Sequence, residues 1–393
     1  SYLVNYNNHC YILSLMQKNK TQWWWILALI LGLILIGLIV FYFNYNKMVV
    51  KPNTIVNQLV TPTATPTPDP LAAYSILLLG YGGGKHEGGL LTDTIMLAKI
   101  DPRAEEIILI SIPRDLWVSI PINNEKIIFK KINEAYAIGS DDKKYPNKKI
   151  EFTGNAGGGE MAKKVVESIV GFKINYFSSI GFDGFIKIID ILEGVDVKIT
   201  KTFDDPFYPI EENINDTCGK SEEEMKSLEA TMSGDKLEQQ YICRYENLHF
   251  EKGVQHLDGI TALKFARSRH STTDGGDFNR AERQKKVIIA IRDKVMKIGF
   301  IPKIIPVFKT LSRNVKTDID ISKMTELVGS LSDISEYKII SINLTDQNVL
   351  KNSVASTGQF ILSPKLGDNN WLEVQEFIKN KGIATTSAIK TQN

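Results

Sequence analysis

Arginine residues and one aspartate are concentrated in a short segment past the middle of the chain. Residues 266–269 read Ala-Arg-Ser-Arg, and residues 277–284 read Asp-Phe-Asn-Arg-Ala-Glu-Arg-Gln. The formal net charge of the whole chain is only +2, so these arginines form a local site and not a basic surface of the kind that binds nucleic acid. Guanidinium groups bind phosphate oxygens through paired hydrogen bonds. The segment therefore predicts an anion site, with phosphate as the expected anion.

Two helices are predicted to hold this segment. Apolar residues recur at helical spacing over residues 257–266, with Asp258 as the N-cap. A second helix is predicted from about residue 279 to residue 297, with Asp277 at or beside its N-cap. A solvated, charged turn that caps a helix is the alternative interpretation. It explains Asp277 but gives the arginines no role.

The spacing of the arginines predicts that they share one ligand. Arg280 and Gln284 are four residues apart and lie on one face of the second helix. Arg267 and Arg269 follow the first helix, and an extended backbone would direct both side chains the same way. Both guanidinium groups could then bind a single polyanion.

A second candidate site lies upstream, where three apolar runs predict strands over residues 74–79, 90–98 and 106–113. The first run leads into a glycine-rich segment, where the backbone can approach a ligand closely. Asp93, Arg114 and Asp115 lie at the ends of the other two runs. Carboxylates and arginine beside a glycine loop suggest a metal and phosphate site at one edge of a sheet. Structural ion pairs between these residues are the alternative.

Taken together, these segments resemble the LytR-CpsA-Psr family of cell-wall phosphotransferases. The resemblance extends over about residues 74–340. The matching segments occur in the order of the family: residues 77–84, 92–96, 112–115, 132–136, 181–185, 256–259 and 267–284.

The resemblance implies an α/β fold, an α/β/α layered domain with a central mixed sheet. It also implies an activity, the transfer of a phospho-glycan polymer from a polyprenyl-pyrophosphate carrier to peptidoglycan, with Mg²⁺ or Mn²⁺ beside the pyrophosphate. By the same resemblance, Asp93 binds the metal, and the pyrophosphate is bound by Arg114, Arg267, Arg269, Arg280 and Gln284. The catalytic residues would be Arg267 and Arg269, with Asp277 as the candidate acceptor for the proton of the attacking hydroxyl.

The sequence departs from the family pattern at two places. Many relatives have a second metal-binding aspartate just after the first strand, where this chain has Gly82 and Gly83. Relatives often have an arginine where this chain has Leu91. His86 or Glu87 could supply the missing metal ligand from the loop.

The N-terminal region predicts a membrane anchor. Residues 23–43 form an uncharged apolar run, long enough to span a bilayer and flanked by aromatic residues. A cleaved signal peptide is the alternative, but no small-residue cleavage site follows. The resemblance implies that residues 1–22 are cytoplasmic and that the catalytic domain lies outside the cell membrane. Residues 44–72 would be a Pro/Thr-rich extracytoplasmic linker.

The remaining chain predicts one catalytic domain over residues 73–381, with a disordered tail at 382–393. Residues 202–250 are acidic and polar and predict an insertion, in which Pro206 and Pro209 oppose continuous regular structure. The insertion contains Cys218 and Cys243, and in an oxidising compartment these two residues are expected to form a disulfide. Two unpaired thiols are the alternative.

Two other functions remain open at this point. The first is a pyrophosphatase that releases polyprenyl phosphate from the glycan carrier without using the acceptor. The second is a non-catalytic module that binds wall polymer or lipid and has kept the anion site without the metal.

Overall fold

The structure is a computed structural model that describes residues 42, 45, 47–53, 69, 71–84, 88–271, 273–298, 315–330 and 337–390. Residues 1–22 and nearly all of the run predicted to span the membrane, residues 23–43, lie outside this part of the chain. None of the helices in the described ranges combines the length and apolar character that a bilayer crossing requires.

Strands and helices alternate through most of the chain. The strands are β1 (Tyr74–Tyr81), β2 (Thr92–Asp101), β3 (Glu106–Ser111), β4 (Trp117–Pro121), β5 (Ile127–Lys131), β6 (Tyr176–Gly181), β7 (Val195–Ile199), β8 (Phe203–Pro209), β9 (Tyr245–Phe250), β10 (Gly253–Leu257), β11 (Val315–Thr317), β12 (Lys338–Asn343), β13 (Leu350–Val354) and β14 (Phe360–Pro364). The helices are α1 (Glu134–Ser140), α2 (Gly157–Val170), α3 (Phe182–Ile191), α4 (Glu222–Thr231), α5 (Asp235–Glu238), α6 (Gly259–Arg267), α7 (Gly276–Ile298), α8 (Ile321–Ser330) and α9 (Leu372–Lys390).

The central sheet is mixed, with the strand order β11-β6-β1-β2-β3-β12. β1, β2 and β3 pair antiparallel in sequence, whereas β6 pairs parallel with β1 and β12 pairs parallel with β3. Because β2 and β3 are antiparallel neighbours, the start of β2 and the end of β3 lie at the same edge of the sheet. The two candidate site segments on these strands are therefore adjacent.

Helices cover both faces of the sheet. Leu77 and Leu97 project from one face into a buried cluster with Val165 of α2 and Val374 of α9. On the other face, Met96 belongs to a second cluster, which includes residues of α8 and a partly buried residue of α7. Strands that are buried on both faces have near-continuous apolar sequences, which explains the three apolar runs. The predicted α/β/α layering with a central mixed sheet is confirmed.

Residues 47–50 contact the domain, although the sequence placed them in the linker. Met48 and Val50 are buried, and the backbone nitrogen of Val50 donates to the carbonyl oxygen of Thr317 at 2.9 Å. Burial of these apolar side chains stabilises the contact. The segment predicted as linker therefore includes residues that pack on the domain.

The predicted insertion forms an arm that leaves the domain and returns to it. We define the arm as residues 203–250. At its base β8 pairs with β9, and β7 and β10, which flank the arm, pair with each other, in both cases antiparallel. β8 contains Pro206 and ends at Pro209, and its pairing is not continuous around Pro206, in agreement with the expectation that these prolines oppose continuous regular structure. The strand accommodates Pro206 because its register shifts between Asp205 and Tyr208.

Aromatic packing fixes the base of the arm to the domain. The rings of Phe203 and Phe250, on paired strands, are stacked at 5.3 Å, and Phe265 of α6 packs edge-on against Phe250 at 5.2 Å. All three side chains are buried. The arm is thereby tied to the helix that carries Arg267.

The C-terminal helix α9 is longer than the sequence suggested. It continues to Lys390, beyond residue 381, where the catalytic domain was predicted to end and a disordered tail to begin. Trp371, Val374 and Ile378 are buried against the domain, and this packing nucleates a helix that each further residue extends at little cost. Residues 391–393 lie outside the described ranges.

A disulfide closes the tip of the arm between Cys218 and Cys243, with their Cα atoms 5.7 Å apart. We expect a peptide map under non-reducing conditions to recover the two cysteines in one cross-linked fragment. Replacing both by serine should lower the free energy of unfolding of the arm by about 3 kcal/mol, because the cross-link limits the unfolded loop. Limited proteolysis of the arm measures this loss. Alkylation of both thiols in protein from its native compartment would contradict the pairing.

Candidate active site

Helix α6 positions the first arginine. The side chain of Asp258 accepts a hydrogen bond from the backbone nitrogen of Thr261 at 2.7 Å, which confirms the predicted N-cap. Ala262 and Phe265 are fully buried, so the apolar face of α6 is fixed in the core. The helix ends at Arg267, one residue later than expected.

The chain that follows α6 is held by a buried carboxylate that the sequence did not reveal. One oxygen of Asp205, which is 1% exposed, accepts hydrogen bonds from Ser268 Oγ at 2.6 Å, Arg269 N at 2.8 Å and His270 N at 3.1 Å. Asp205 lies on strand β8 of the arm, 63 residues before Ser268. No local pattern marks such a contact.

Helix α7 carries two further predicted site residues, Arg280 and Gln284. It begins at Gly276, about three residues earlier than predicted. Asp277 therefore lies in the first turn of the helix and does not precede it, and its side chain is outside the described part of the structure. Arg280 is buried and Gln284 is half-buried. Both line one cavity, as their spacing predicted.

Arg283, another arginine of this segment, has a structural role. Its side chain is 1% exposed. Its guanidinium donates to the carbonyl oxygens of Asp274, at 2.8 Å, and Ser268. It also lies over the ring of Phe203 at 4.9 Å. Arg283 therefore joins α7 to the segment after α6 and is not available to an anion.

Asp93 and Arg114 meet at the edge of the sheet. Asp93 is the second residue of β2, and Arg114 follows β3. Their side chains form an ion pair, the contact that the structural alternative for these residues expects. Asp115 lies on the far side of Arg114 and pairs with Lys131 at 2.6 Å.

A single cavity of about 300 Å³ joins the two candidate sites. It is lined by six residues that the sequence predicted for the site: Asp93, Arg114, Arg267, Arg269, Arg280 and Gln284. Asp93 and Arg114 also line two neighbouring cavities, one beside the start of α7 and one beside the glycine loop and α1. The ion pair therefore lies where three cavities meet.

Arg267 contacts two aromatic rings and a carboxylate in this cavity. Its guanidinium carbon is 4.5 Å from the ring centroid of Phe182, the first residue of α3, and 5.6 Å from that of Tyr208. Its Nη1 is 3.1 Å from an oxygen of Glu211. Burial raises the pKa of Tyr208, and the positive charge of Arg267 opposes that rise. Stacking on rings leaves the edge of the guanidinium able to bind oxygen.

The described residues offer few ligands for a metal. Their only group of three closely spaced candidate ligands is Asp216 with Cys218 and Cys243, and the two cysteines are joined in the disulfide. The carboxylate of Asp93 is about one-third exposed and faces the cavity. His86 and Glu87 lie outside the described residues. One carboxylate fits a Mg²⁺ ion that takes its other ligands from substrate phosphates and water.

The glycine loop after β1 folds back on itself. The backbone nitrogen of Gly83 donates to the carbonyl oxygen of Gly89 at 2.8 Å. A Cβ atom at residue 89 would lie only 2.6 Å from the carbonyl oxygen of Gly83, so glycine is required there. The loop forms a wall of the cavity next to Asp93.

The fold and site define an α/β protein with an arginine-lined cavity at the edge of its sheet. The chain belongs to the LytR_cpsA_psr family, whose model matches residues 40–369. Two relatives are named polyisoprenyl-teichoic acid–peptidoglycan teichoic acid transferases. The chain is 27% identical to TagU of Oceanobacillus iheyensis over 68% of its length, and 25% identical to TagV of Bacillus subtilis over 70% of its length. The matches cover 67% and 57% of these relatives.

Solved structures share the fold. The crystal structure of the protein gbs0355 from Streptococcus agalactiae superposes with a TM-score of 0.53, over 79% of this chain and 87% of that one. The two sequences are 22% identical. At this level the likeness confirms the architecture of the domain and nothing further.

Asp205 is expected to position the arginine segment. Asp205→Asn replaces a carboxylate that accepts four hydrogen bonds with a neutral amide. It should destabilise the protein by about 3 kcal/mol and weaken the binding of pyrophosphate, because hydrogen bonds to charged groups are strong. Thermal unfolding and calorimetric titration with pyrophosphate measure the two effects.

The matched control is Asp204→Asn. Asp204 is the neighbouring residue, but its side chain is exposed and pairs with His249 at 2.7 Å. We expect this variant to bind pyrophosphate like the wild type. If both variants behaved alike, the role assigned to Asp205 would be wrong.

Proposed function

We propose that this protein transfers a phospho-glycan polymer from a polyprenyl-pyrophosphate carrier to peptidoglycan. The observation that carries the proposal is the convergence of Arg114, Arg267, Arg269 and Arg280 on the cavity that also contains Asp93. A pyrophosphate diester carries two negative charges, and such a cavity suits it in charge and size. The names of the transferase relatives support the same substrate class.

The reaction needs positioning and charge stabilisation more than covalent chemistry. A sugar hydroxyl of the acceptor attacks the phosphorus that bears the glycan. A new P–O bond forms, the bond to the bridging oxygen breaks, and polyprenyl monophosphate leaves. Negative charge shifts to the phosphoryl and leaving oxygens, where Arg267, Arg269 and Arg280 can stabilise it. The proton of the hydroxyl passes to a base, for which Asp277 is our candidate.

The three cavities that meet at Asp93 and Arg114 suit a reaction with two large substrates. In-line displacement requires the attacking hydroxyl and the leaving group to reach the phosphorus from different sides. The arginine-lined cavity would hold the pyrophosphate. The cavity beside the glycine loop then gives the acceptor a separate approach.

We further propose that Asp93 holds Mg²⁺, with Mn²⁺ as the alternative ion. When bound, the ion would neutralise charge on the pyrophosphate oxygens. Asp93 would then exchange its ion pair with Arg114 for the metal, and Arg114 would pair with a phosphate oxygen. The donor set of one carboxylate fits this arrangement only if substrate and water complete the coordination.

The proposed location is the outer side of the cell membrane. The apolar run at residues 23–43 would anchor the chain, and the linker would place the domain at the cell wall. Both peptidoglycan and an oxidising environment for the disulfide are found there.

Arginine-to-lysine variants test the proposal. Arg267→Lys and Arg269→Lys keep the charge but lose the two-pronged geometry. Each should reduce transfer by about a hundredfold, equivalent to about 2.7 kcal/mol of transition-state stabilisation. Mass spectrometry of the products from a lipid pyrophosphate glycan, with and without peptidoglycan, measures this loss. It also separates transfer from simple hydrolysis and from binding without turnover.

Arg103→Lys is the control for these variants. Arg103 is 62% exposed and pairs with Asp69, in the turn between β2 and β3 at the opposite edge of the sheet from Asp93. We expect wild-type transfer in this variant. Wild-type transfer in both cavity variants would place the active site elsewhere.

Asp93→Ala tests the metal. If substrate oxygens supply most of the ligands, the variant should need more Mg²⁺ for half-maximal transfer, and excess Mg²⁺ should partly restore the rate. A magnesium titration of transfer activity measures the shift. An unchanged magnesium dependence would exclude Asp93 as a ligand.

A further inference from the structure

The arginine-lined cavity has a second wall, which the arm provides. The arm residues that line it are largely aromatic or apolar: Phe207, Tyr208, Pro209, Ile214 and Tyr245. The arginines and Asp93 line the same cavity, and Arg267 lies over the ring of Tyr208 at 5.6 Å. A ligand in this cavity therefore meets both charged groups and aromatic rings.

The aromatic wall is held rigidly beside the arginines. Phe207 packs edge-on against Tyr245 at 5.7 Å and lies 6.4 Å from the ring of His270. The backbone nitrogen of Phe207 donates to Asp205 at 3.1 Å. Because Asp205 also holds the backbone of Arg269, one buried carboxylate fixes both walls. Phe207 and Tyr245 are each half-buried, so part of each ring faces the cavity.

Polar groups border these rings. Glu238 pairs with His270 at 3.2 Å, and Glu211 pairs with Arg267 at 3.1 Å. Burial raises the pKa of Tyr245, and the negative charge of Glu238 adds to the rise, so the phenol stays protonated and can donate a hydrogen bond. A polyprenyl chain against this wall would desolvate the charged groups without replacing their hydrogen bonds, which is costly.

A sugar ring fits the same wall without that cost. Its C–H faces can pack on aromatic rings, and its hydroxyl groups can form hydrogen bonds with carboxylate, imidazole and phenol groups. A cavity of about 300 Å³ is at the lower end of the size of small-molecule sites. It suits a pyrophosphate with one adjoining sugar rather than a long stretch of polymer.

We propose that Phe207 and Tyr245 form a subsite for the sugar directly attached to the donor pyrophosphate. This inference rests on the proposed function and adds to it a determinant of donor specificity. The arm selects the glycan, while the arginines bind the pyrophosphate that every donor shares. The Cys218–Cys243 disulfide closes the tip of the arm beyond this wall.

Binding of two probes to the full chain tests the subsite. One probe is a polyprenyl pyrophosphate without sugar, and the other is the same lipid carrying a single N-acetylhexosamine. Phe207→Leu keeps an apolar side chain but removes the aromatic face. It should weaken binding of the sugar probe by about tenfold and leave binding of the other probe unchanged.

A second variant and a control complete the test. Tyr245→Phe keeps the ring and removes the hydroxyl, so it should selectively weaken binding of the sugar probe. This variant tests the subsite even if Phe207→Leu proves unstable. Phe129→Leu is the matched control, because Phe129 is 49% exposed on β5 and does not line the cavity. It should bind both probes like the wild type.

The possible outcomes distinguish the sugar subsite from the pyrophosphate site on which it depends. The sugar subsite would be overturned if Phe207→Leu and Tyr245→Phe each weakened the binding of the two probes equally. It would also be overturned if neither variant weakened the binding of either probe. Failure of the wild type to bind the sugar-free probe, or wild-type binding of it by Arg267→Lys, would instead overturn the pyrophosphate site.

Discussion

Several guanidinium groups share one small cavity in this protein, and this is the constraint on which the rest of the site depends. Like charges repel most strongly where water is partly excluded. Nearby carboxylates and aromatic rings offset this repulsion. Asp93 lies beside Arg114, and Glu211 and Phe182 lie beside Arg267. An anionic ligand can replace the weaker of these contacts. The site is thus built around a negative charge that the substrate is expected to bring.

The sheet explains why the two halves of the site meet. β2 and β3 are antiparallel neighbours, so Asp93 at the start of one strand and Arg114 after the other lie at one edge. β6 runs parallel to β1 and ends at Gly181, which brings the start of α3, and with it Phe182, to the same edge. The hydrogen-bond register of the sheet thereby sets distances between side chains that are far apart in sequence.

The arm adds aromatic and apolar residues to the charged edge of the sheet, and the two together form the cavity. Its base is anchored by the stacked rings of Phe203 and Phe250, and Asp205 joins it to the arginine segment. Without the arm, the backbone after α6 would have no acceptor for these buried donors, which is costly. The segment predicted to be a polar insertion is therefore part of the candidate active site.

The sequence by itself determined the local features of this protein. Periodicity and capping residues predicted strands β1, β2 and β3 and helix α6, and spacing placed Arg280 and Gln284 on one face of α7. The resemblance to a family drew Asp93 and Arg114 into one site. The predictions of secondary structure hold because those signals lie within a few residues of one another, whereas Asp93 and Arg114 are 21 residues apart.

Only the tertiary structure decided which charged residues line the cavity and which support the fold. Arg283 belongs to the same cluster as Arg280, yet it is buried against backbone carbonyls. Asp205 lies in a segment with no recognisable motif, yet it holds the arginine segment across a gap of 63 residues. Side chains of the same type differ here in burial and in partners, and both depend on packing between distant parts of the chain that no local pattern encodes.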